Sequence, residues 1–422
     1  MPTYLMKPSL EGLRNRLAAK GGLAVKAILK TLAETLHRAD PSVDFAFRFW
    51  DGDEVRFGKH PRFTLHFRSE ASGRSLMAQR FFGFGEAYTS GEIEVEGDLR
   101  ELLRLGLNIN FDNLVPGFLD TIRGIRAYLK TRGTPGGAKK NIAHHYDRGD
   151  EFYRLYLDET LTYSCAYFKD LAEPLEQAQL NKYDHIARKL MLKPGERLLD
   201  IGCGWGGMLI HAARNYGITG VGNTLSENQC RYATRKLKEL GLDRQVSVVL
   251  KDYRSLKGEF DKFVSIGMFE HVGREYIPAF MKKVASLLRK GGLGLLHTIG
   301  FERVLKGKSW HETYIFPGNY IPRIDEVLHQ MGRVGFSTID VENLRLHYAY
   351  TLDRWIENYE RNEEKIRRMF GDAFARMWKL YLYSSSAGFK YGDNRVFQFL
   401  FSNGLNNDLP ITREFVYSDD DR

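Results

Sequence analysis

From residue 197 onward the chain alternates short apolar segments with amphipathic ones, and this alternation constrains the fold more than any other feature. Strands are predicted at residues 197–201, 218–222, 246–250, 260–266 and 293–297. Helices are predicted between them, at residues 208–216, 226–240 and 276–288. Strands that alternate with helices in this way predict an α/β fold with a parallel, doubly wound sheet.

The first predicted strand runs into a glycine-rich loop, DIGCGWGG at residues 200–207. Its G-x-G-x-x-G spacing occurs in both dinucleotide and methyl-donor sites, so the motif alone is weak. Glycines at this point let a ligand approach the backbone at the carboxyl end of a strand, where open sheets bind ligands. A dinucleotide site would need an acid at the end of the second strand, which has the sequence GNT at residues 222–224. Asp200, just before the glycines, is more typical of a methyl-donor site, so the pattern favours a methyl donor over a nicotinamide cofactor.

The second predicted helix opens with TLSENQ at residues 224–229. Ser226 and Gln229 have the spacing of a capping box, which is a purely structural role. A helix that starts at the end of a strand also faces the ligand-binding edge of the sheet. Thr224, Leu225 and Gln229 are therefore predicted to face the ligand, and the two roles are compatible.

Two polar residues stand at the ends of the later strands. Glu270 follows the fourth predicted strand, where an unpaired buried carboxylate would be costly, so a role in a site is favoured over a role in the core. His297 ends the fifth strand at the same edge and fits a structural or a functional role equally well. Cys165, in LTYSCAYF at residues 161–168, fits either a small core residue or a member of the site.

The first 125 residues predict a smaller α+β domain. Residues 1–40 are predicted to form a basic amphipathic helix, broken near Gly21 and Gly22, that either lies on a membrane or packs on its own domain. Alternating aromatic residues at 45–49 and 63–67 predict a hairpin whose apolar face is more often core than a lipid-accepting surface. The stretch TRGTPGGAKK at residues 131–140 predicts a linker over 126–140, followed by a second domain at 141–422.

Charge and composition restrict the partners. The formal net charge of +9 suggests a polyanionic partner, either nucleic acid or an anionic membrane, with solubility alone as the alternative. The three cysteines have no metal-ligand spacing, so no metal site is predicted, and they fit a reducing cytoplasm. The sequence has no apolar run of about 18 residues and no export signal at its start, so neither a membrane span nor secretion is expected.

A series of motifs between residues 140 and 403 resembles the cyclopropane fatty acid synthases and the related mycolic acid cyclopropane synthases. The motifs are HYD at 145–147, LTYSCAYF at 161–168, LLDIGCGWGG at 198–207, TLSENQ at 224–229, SIGMFEHVG at 265–273, LLHTIG at 295–300, YIFPG at 314–318 and HYAYTLDRW at 347–355. The segment GEAYTSGEIEVEGDL at 85–99 resembles the additional domain of the bacterial members that modify phospholipids. The resemblance implies a class I S-adenosylmethionine-dependent methyltransferase with a Rossmann-like, seven-stranded doubly wound sheet, preceded by a smaller α+β domain that associates with lipid.

The resemblance also implies a reaction and its residues. The family transfers a methylene group from S-adenosylmethionine to the cis double bond of an unsaturated acyl chain, through a carbocation that bound bicarbonate deprotonates. By motif, the bicarbonate ligands are the side chains of Cys165, Glu270, His297 and Tyr348 and the backbone at Ile299. The cofactor contacts are Tyr163, Ser164, Asp200, Gly202, Gly204, Thr224, Leu225, Gln229, Asp252 and Tyr253, while His145, Tyr146 and Trp205 line the site.

The partners expected from this resemblance are an unsaturated phospholipid and an anionic membrane surface, with no nucleic acid. The protein is expected in the cytoplasm, at the inner face of the membrane, with a homodimer as one option. The main alternative is a family member that turns the same cation into a methylene- or methyl-branched chain. A nicotinamide oxidoreductase is disfavoured by the GNT strand end at 222–224, and a nucleic-acid methyltransferase by the scattered basic residues and the lack of an Asn-Pro-Pro-Tyr-type motif.

Overall fold

The computed structural model describes residues 23–108, 149–304 and 309–417. The predicted linker and the first part of the predicted N-terminal helix, with Gly21 and Gly22, lie outside these residues. The chain divides into two compact units, Met1–Gly124 with Lys365–Gly392 and Ile125–Glu364 with Asp393–Arg422. Residues 365–392 thus group with the N-terminal unit, which differs from the single second domain predicted over 141–422.

The helices and strands are numbered along the described chain. The helices are α1 Leu23–Ala39, α2 Glu70–Ser90, α3 Leu99–Asn108, α4 Asp150–Tyr153, α5 Leu175–Lys189, α6 Gly207–Tyr216, α7 Glu227–Glu239, α8 Ile277–Leu287, α9 Trp310–Tyr314, α10 Ile324–Arg333, α11 Arg345–Arg361, α12 Glu363–Phe370, α13 Asp372–Lys390 and α14 Glu414–Tyr417. The strands are β1 Phe45–Arg48, β2 Glu54–Phe57, β3 Phe63–Phe67, β4 Ile93–Gly97, β5 Arg197–Ile201, β6 Thr219–Thr224, β7 Val246–Leu250, β8 Phe260–Ile266, β9 Leu288–Gly300, β10 Phe336–Asn343 and β11 Arg395–Asn403.

The N-terminal unit contains a four-stranded sheet in the order β2-β1-β3-β4. β1 pairs antiparallel with β2, so a hairpin exists, but its second strand is Glu54–Phe57. The prediction that residues 63–67 form the second arm is wrong, because β3 runs parallel to β1 and antiparallel to β4. β2 alternates polar and apolar residues, but it is only four residues long, and this shortness concealed it in the sequence.

The two faces of this N-terminal sheet have opposite character. On one face, Phe45 stacks on Phe63 with ring centroids 5.2 Å apart, and both side chains are buried. On the other face, Arg48 forms ion pairs with Glu54 and Glu96 at 3.3 and 2.9 Å. The aromatic residues therefore belong to the core, as the sequence favoured. The opposite face of the sheet carries ion pairs between side chains of different strands.

Helix α1 packs on its own unit. It contacts α2, α3, β1 and β2. Its apolar face is buried and consists of Val25, Leu29, Ala33 and Leu36. On its other side Lys26 and Lys30 form ion pairs with Asp53 at 2.8 and 2.9 Å. For the described part of the predicted helix, packing on its own domain is confirmed, because the face that would enter a membrane is covered.

The second unit is built on a seven-stranded sheet in the order β10-β11-β9-β8-β5-β6-β7. β5, β6, β7, β8 and β9 are parallel, which confirms the predicted doubly wound arrangement. β11 runs antiparallel to both β9 and β10 and was not visible in the alternation of the sequence. The strand order reverses between β5 and its neighbours β6 and β8, and ligands bind at the carboxyl edge beside such a switch point.

Helices cover both faces of this sheet. Leu198 and Leu199, adjacent on β5, point into two different cores. Side chains of α5 and α6 fill the core around Leu198, and side chains of α8 and α10 fill the core around Leu199. Within the described ranges, no helix combines the length and the apolar character that crossing a membrane requires.

The sheet is tightly packed around Gly294 on β9, which gives a test of the fold. A Cβ at Gly294 would lie 2.4 Å from the ring of Phe401 and 3.1 Å from that of Phe263, its register neighbours on β11 and β8. Gly294→Ala should lower the free energy of unfolding by about 1–3 kcal/mol through overpacking. A lower thermal unfolding midpoint would show it.

Gly332→Ala is the matched control. Gly332 lies in α10, and a Cβ there meets no atom outside the helix within 4 Å. Because alanine favours helix over glycine by about 0.8–1 kcal/mol, this variant should keep or raise the midpoint. A midpoint for Gly294→Ala at or above that of the wild type would contradict the packing described.

Candidate active site

The glycine loop after β5 is fixed to the end of β6. The amides of Gly202 and Cys203 both donate to the carbonyl oxygen of Asn223, at 3.1 and 3.0 Å. Gly202 has a φ of +81°, and a Cβ there would lie 2.4 Å from Cγ of Met268. Only glycine fits this position, so the loop presents bare backbone to the space above it.

A cavity lies at the carboxyl edge of the parallel strands. Its wall contains all the cofactor contacts implied by the sequence resemblance, namely Tyr163, Ser164, Asp200, Gly202, Gly204, Thr224, Leu225, Gln229, Asp252 and Tyr253. Trp205, expected to line the site, belongs to the same wall. The fold thus brings four separate segments of the chain to one cavity. His145 and Tyr146 lie outside the described residues.

The start of α7 serves the helix and the cavity together. Ser226 accepts a hydrogen bond from the Gln229 amide at 3.3 Å, which is the first half of the predicted capping box. The second half is not made, because the side-chain oxygen of Gln229 accepts from the Thr224 hydroxyl at 2.7 Å. The Thr224 hydroxyl also accepts from the Ser226 amide at 3.1 Å, so these polar groups hold one another in place at the wall.

Asp252 supplies a fixed negative charge on the wall. Arg254 donates to its carboxylate from Nε at 2.8 Å and from Nη2 at 2.6 Å. Burial acts to raise the pKa of Asp252, but the hydrogen bonds from Arg254 hold this pKa below its ordinary value. Arg254, which also lines the cavity, was missed in the sequence, although its position two residues after Asp252 was a usable signal.

Trp205 is tied to the segment that precedes the cavity. Its indole N–H donates to Asp150 at 2.8 Å, and Asn228 donates to the same oxygen at 2.5 Å. Its ring also meets that of Tyr153, with centroids 5.4 Å apart. Asp150, which the sequence did not single out, therefore orients one wall of the cavity.

A buried lysine beneath the cavity was also missed. Lys182, on α5, donates to the Ser164 hydroxyl at 2.8 Å and to the side-chain oxygen of Gln179 at 2.9 Å. Burial lowers the pKa of Lys182 to about 7. Gln179 in turn donates to the carbonyl of Ser164 at 3.0 Å, so the two side chains fix the segment that carries Tyr163 and Ser164. Burial raises the pKa of Asp200 to about 7, and the positive charge of Lys182 opposes that rise.

Glu270 lies in the turn after β8 and is almost fully buried. Its Oε1 accepts from the Ile299 amide at 2.7 Å. Its Oε2 is buried and has no hydrogen-bond partner in the part of the chain that the structure describes. Burial raises the pKa of Glu270 to about 7, although the Ile299 amide and, to a smaller extent, its own amide and the Thr298 hydroxyl oppose the rise. The Ile299 backbone, expected as an anion ligand, thus donates its N–H to Glu270 and orients that side chain.

His297 lies within β9, level with the end of β8 and two residues before Ile299, so the prediction that it ends its strand is wrong. The Gly267 amide donates to its carbonyl at 2.9 Å, and Gly267 belongs to the cavity wall. Its Nδ1 lies 3.2 Å from Nε2 of Gln398, while its Nε2 is buried without a partner among the described residues. Burial and the charges of nearby lysines lower the pKa of His297 to about 3, so the ring is neutral.

Cys165 lies directly behind the cavity wall. It is fully buried, and its thiol donates to the Ala166 carbonyl at 3.2 Å. Burial raises the pKa of this thiol well above its ordinary value. Because the thiolate is the reactive form of cysteine, Cys165 is not set up as a nucleophile.

Aromatic rings connect Tyr348 with the cofactor contacts. Tyr348, on α11, is not in the cavity wall, but its ring lies 6.1 Å from that of Trp355. Trp355 stacks on Tyr163 with centroids 5.2 Å apart, and Tyr163 contacts Tyr153 at 5.5 Å. Trp355 was not singled out in the sequence. Aromatic faces attract cations, so the cluster suits a site where positive charge develops.

Comparison with known proteins agrees with this geometry. Residues 135–399 match the family described as mycolic acid cyclopropane synthetase, and residues 32–111 match a domain of unknown function. The chain is 36% identical over 345 residues to the cyclopropane-fatty-acyl-phospholipid synthase of Escherichia coli (strain K12), covering 81% of this chain and 88% of that protein. It is 35% identical over 356 residues to a tuberculostearic acid methyltransferase of Mycobacterium tuberculosis, covering 80% of this chain and 82% of that protein.

A solved structure shows the same fold. The mycolic acid cyclopropane synthase complexed with SAH and CTAB has 35% sequence identity and a TM-score of 0.59, and the match covers 63% of this chain and 98% of that one. The predicted fold class of the second unit, a methyltransferase sheet, is thereby confirmed. The family match spans more than half of the chain. This chain therefore belongs to the mycolic acid cyclopropane synthetase family and is an S-adenosylmethionine-dependent methyltransferase.

Proposed function

We propose that this enzyme converts the cis double bond of an unsaturated acyl chain in a membrane phospholipid into a cyclopropane ring. The observation that carries the proposal is the pair of buried atoms Glu270 Oε2 and His297 Nε2, which have no partner among the described residues. Methyl transfer to an alkene leaves a carbocation, and the ring closes only if the new methyl group loses a proton. The reaction therefore needs a base beside the methyl donor, and unsatisfied buried polar groups are the expected mark of a missing polar ligand.

Bicarbonate fits the two atoms. It has both an O–H group and acceptor oxygens, so it can donate to the Glu270 carboxylate and accept from a ring N–H of His297. When bound, it supplies a base of small size in a site from which water is excluded. Glu270 is held for this purpose by the Ile299 amide, and His297 by Gln398.

The remaining residues bind the donor and protect the cation. Asp252, Thr224 and the loop at Gly202 form the wall against which the donor would lie. The cluster of Tyr163 and Trp355 offers aromatic faces to positive charge. Burial of Glu270 and His297 keeps water away, and water would convert the cation to an alcohol.

A phospholipid substrate is supported by the extent of the similarity. The match to the Escherichia coli phospholipid synthase runs over 345 residues, which is more than the second unit alone contains. The match to the mycolic acid cyclopropane synthase covers 63% of the chain. The presence of the N-terminal unit therefore favours the phospholipid branch of the family.

We also infer that the protein works at the anionic inner surface of a membrane, from the cytoplasmic side. The formal net charge of +9 supports this. In the described N-terminal unit Lys26, Lys30 and Arg48 are paired with acids. The attraction is therefore attributed to the charge of the whole chain and not to one basic patch.

Analysis of the lipid product distinguishes ring formation from methyl branching. Incubated with vesicles of a cis-unsaturated phospholipid and S-adenosylmethionine, the enzyme should give lipid with the shielded methylene signals of a cyclopropane in proton NMR. With methyl-deuterated donor, mass spectrometry should show that two of the three deuteriums remain. Vinylic methylene or branched methyl signals would overturn the proposal in favour of methyl branching, the direction suggested by the tuberculostearic acid methyltransferase among the relatives.

Glu270→Ala should lower kcat far more than the affinity for S-adenosylmethionine. An interaction that matters mainly after the cation forms appears in kcat, and a loss of ~2.7 kcal/mol corresponds to about a hundredfold. The matched control is Asp252→Asn, which alters a carboxylate in the cavity wall and should weaken donor binding while sparing kcat at saturating donor. Calorimetry that shows equal loss of donor affinity in both variants would move Glu270 to the donor site.

Binding to membranes should depend on charge. Sedimentation with vesicles that contain anionic lipid should weaken as salt is raised, because salt screens attraction between separated charges. Vesicles of zwitterionic lipid alone are the control and should bind less protein at every salt concentration. Sedimentation that is indifferent to both salt and anionic lipid would rule out the inferred attraction.

A further inference from the structure

We infer that Lys189 and Gln398 form a buried relay that fixes the tautomer of His297, so that Nε2 of His297 carries the proton and acts as a hydrogen-bond donor toward the anion site. The inference rests on the proposed function, because it assigns positioning residues to the proposed base site. Neither Lys189 nor Gln398 was singled out in the sequence, and neither lines the cofactor cavity.

The relay is a row of polar side chains on three adjacent strands, capped by a helix. Glu342 on β10 is in register with Gln398 on β11, and Gln398 is in register with His297 on β9. Lys189, the last residue of α5, donates to Glu342 at 2.5 Å and to the side-chain oxygen of Gln398 at 2.9 Å. The side chains of Lys189, Gln398 and His297 are at most 2% exposed and that of Glu342 is 22% exposed, so the part of the row that reaches His297 is shielded from solvent.

The donors and acceptors along this row can be assigned in one way. A lysine ammonium only donates, so the atom of Gln398 that faces Lys189 must be the amide oxygen. The amide nitrogen of Gln398 then faces His297, and because it too only donates, Nδ1 of His297 must accept. A neutral imidazole carries one proton, which is left on Nε2.

The surroundings of His297 keep its ring neutral. Burial is the main cause that lowers the pKa of this ring. Lys182, Lys189 and His185 on α5 also disfavour an added positive charge, while Glu342 favours it. Glu342 is already engaged by Lys189 and by His185, the latter at 2.8 Å. Glu270, at the same edge, bonds to the Ile299 amide.

The tautomer of His297 determines whether the site attracts or repels an anion. With the proton on Nε2, the unpartnered atoms of His297 and Glu270 are a donor and an acceptor, which together suit bicarbonate. With the proton on Nδ1, both atoms would be acceptors and would repel an anion. The relay therefore selects the form of His297 that the proposed reaction needs, in the way that outer hydrogen bonds set the tautomer of histidine ligands elsewhere.

Nitrogen-15 NMR of the full-length protein labelled at histidine tests the tautomer directly, without donor or bicarbonate. The His297 signals, assigned from their loss in His297→Asn, should show a protonated Nε2 and a bare Nδ1. In Gln398→Glu a carboxylate faces the ring, so the proton should move to Nδ1. Gln179→Glu is the matched control, since Gln179 also accepts from a buried lysine, Lys182, and should leave the His297 signals unchanged. A wild-type ring protonated on Nδ1 would overturn the inference, whatever the product of the enzyme.

The second readout is the requirement for bicarbonate. In Gln398→Glu at neutral pH, the sodium bicarbonate concentration that gives half-maximal turnover should rise about tenfold, the change expected for about 1.4 kcal/mol from one lost hydrogen bond. The defect should lessen as pH falls, because protonation of His297 beside the new carboxylate restores the Nε2 proton. An unchanged requirement despite a moved proton would overturn the inferred role toward the anion.

Two measurements distinguish a failure of this inference from misfolding of a variant and from a failure of the proposed function. Lys189→Arg retains a donor toward Gln398 and should keep the wild-type tautomer, and a moved proton in this folded variant would contradict the relay. If Gln398→Glu does not fold, as judged by circular dichroism, the wild-type spectrum and Lys189→Arg decide. If the wild type makes no cyclopropane, the proposed function is wrong. The NMR spectrum still decides independently whether the relay fixes the tautomer of His297.

Discussion

Burial of ionisable groups at the carboxyl edge of the central sheet is the constraint on which the second unit depends. Lys182, Asp200 and Glu270 are almost inaccessible to water, and burial shifts the pKa of each of them to about 7. Neighbouring groups act in place of solvent. The Ser164 hydroxyl accepts from Lys182, the Ile299 amide donates to Glu270, and the positive charge of Lys182 stabilises the carboxylate of Asp200. Because the pKa of Asp200 and that of Glu270 are both about 7, a bound cation such as a sulfonium would favour the charged forms of these two side chains. The site is thus poised to respond electrostatically to its donor.

The sheet topology makes this burial possible. Parallel strands β5 to β9 bring the glycine loop, Glu270 and His297 to one edge, and the antiparallel β11 adds Gln398 beside His297. β10 then places Glu342 beside Gln398, where it balances the charge of Lys189. A sheet that ended at β9 would leave His297 on an edge strand, with no fixed partner for its Nδ1. β10 and β11 therefore support the polar groups of the site as well as completing the sheet.

Much of this could be predicted from the sequence, and the failures have physical causes. The limits of β5, β7 and β8 were predicted to the residue, because each is a short segment rich in apolar residues with turn residues around it. β9 was predicted too short at both ends. Gly291 and Gly292 resemble a turn, although the strand continues through them, and it also continues past His297 to Gly300. β11 carries no alternation, since both of its faces are buried, and it followed only from the family resemblance.

The missed residues of the site share one property. Lys182 and Lys189 were passed over because lysine on a helix normally faces solvent. Yet Gln179, Lys182, Ile186 and Lys189 follow one another at spacings of three and four residues along α5, and all are buried. Ile186 marks that stripe as the inner face, so a helical projection of α5 would have placed both lysines beneath the sheet. The partners of Lys189, Gln398 and Glu342, come from strands more than 150 positions later, and no local pattern could have joined them to it.

In the proposed reaction, donor binding and the fate of the cation are assigned to different residues. The groups that line the cavity come from the segment that carries Tyr163 and Ser164, from the loops after β5, β6, β7 and β8, and from residues 317–319. Glu270 and His297, to which the proposal assigns ring closure, do not belong to that wall. The Ile299 amide holds Glu270, and Gln398 on β11 holds His297. On this proposal, one set of residues binds the donor and another acts after methyl transfer. On this proposal the product depends on the row of polar side chains across β9, β11 and β10, because moving the proton of His297 from Nε2 to Nδ1 would turn a donor toward the anion into an acceptor that repels it.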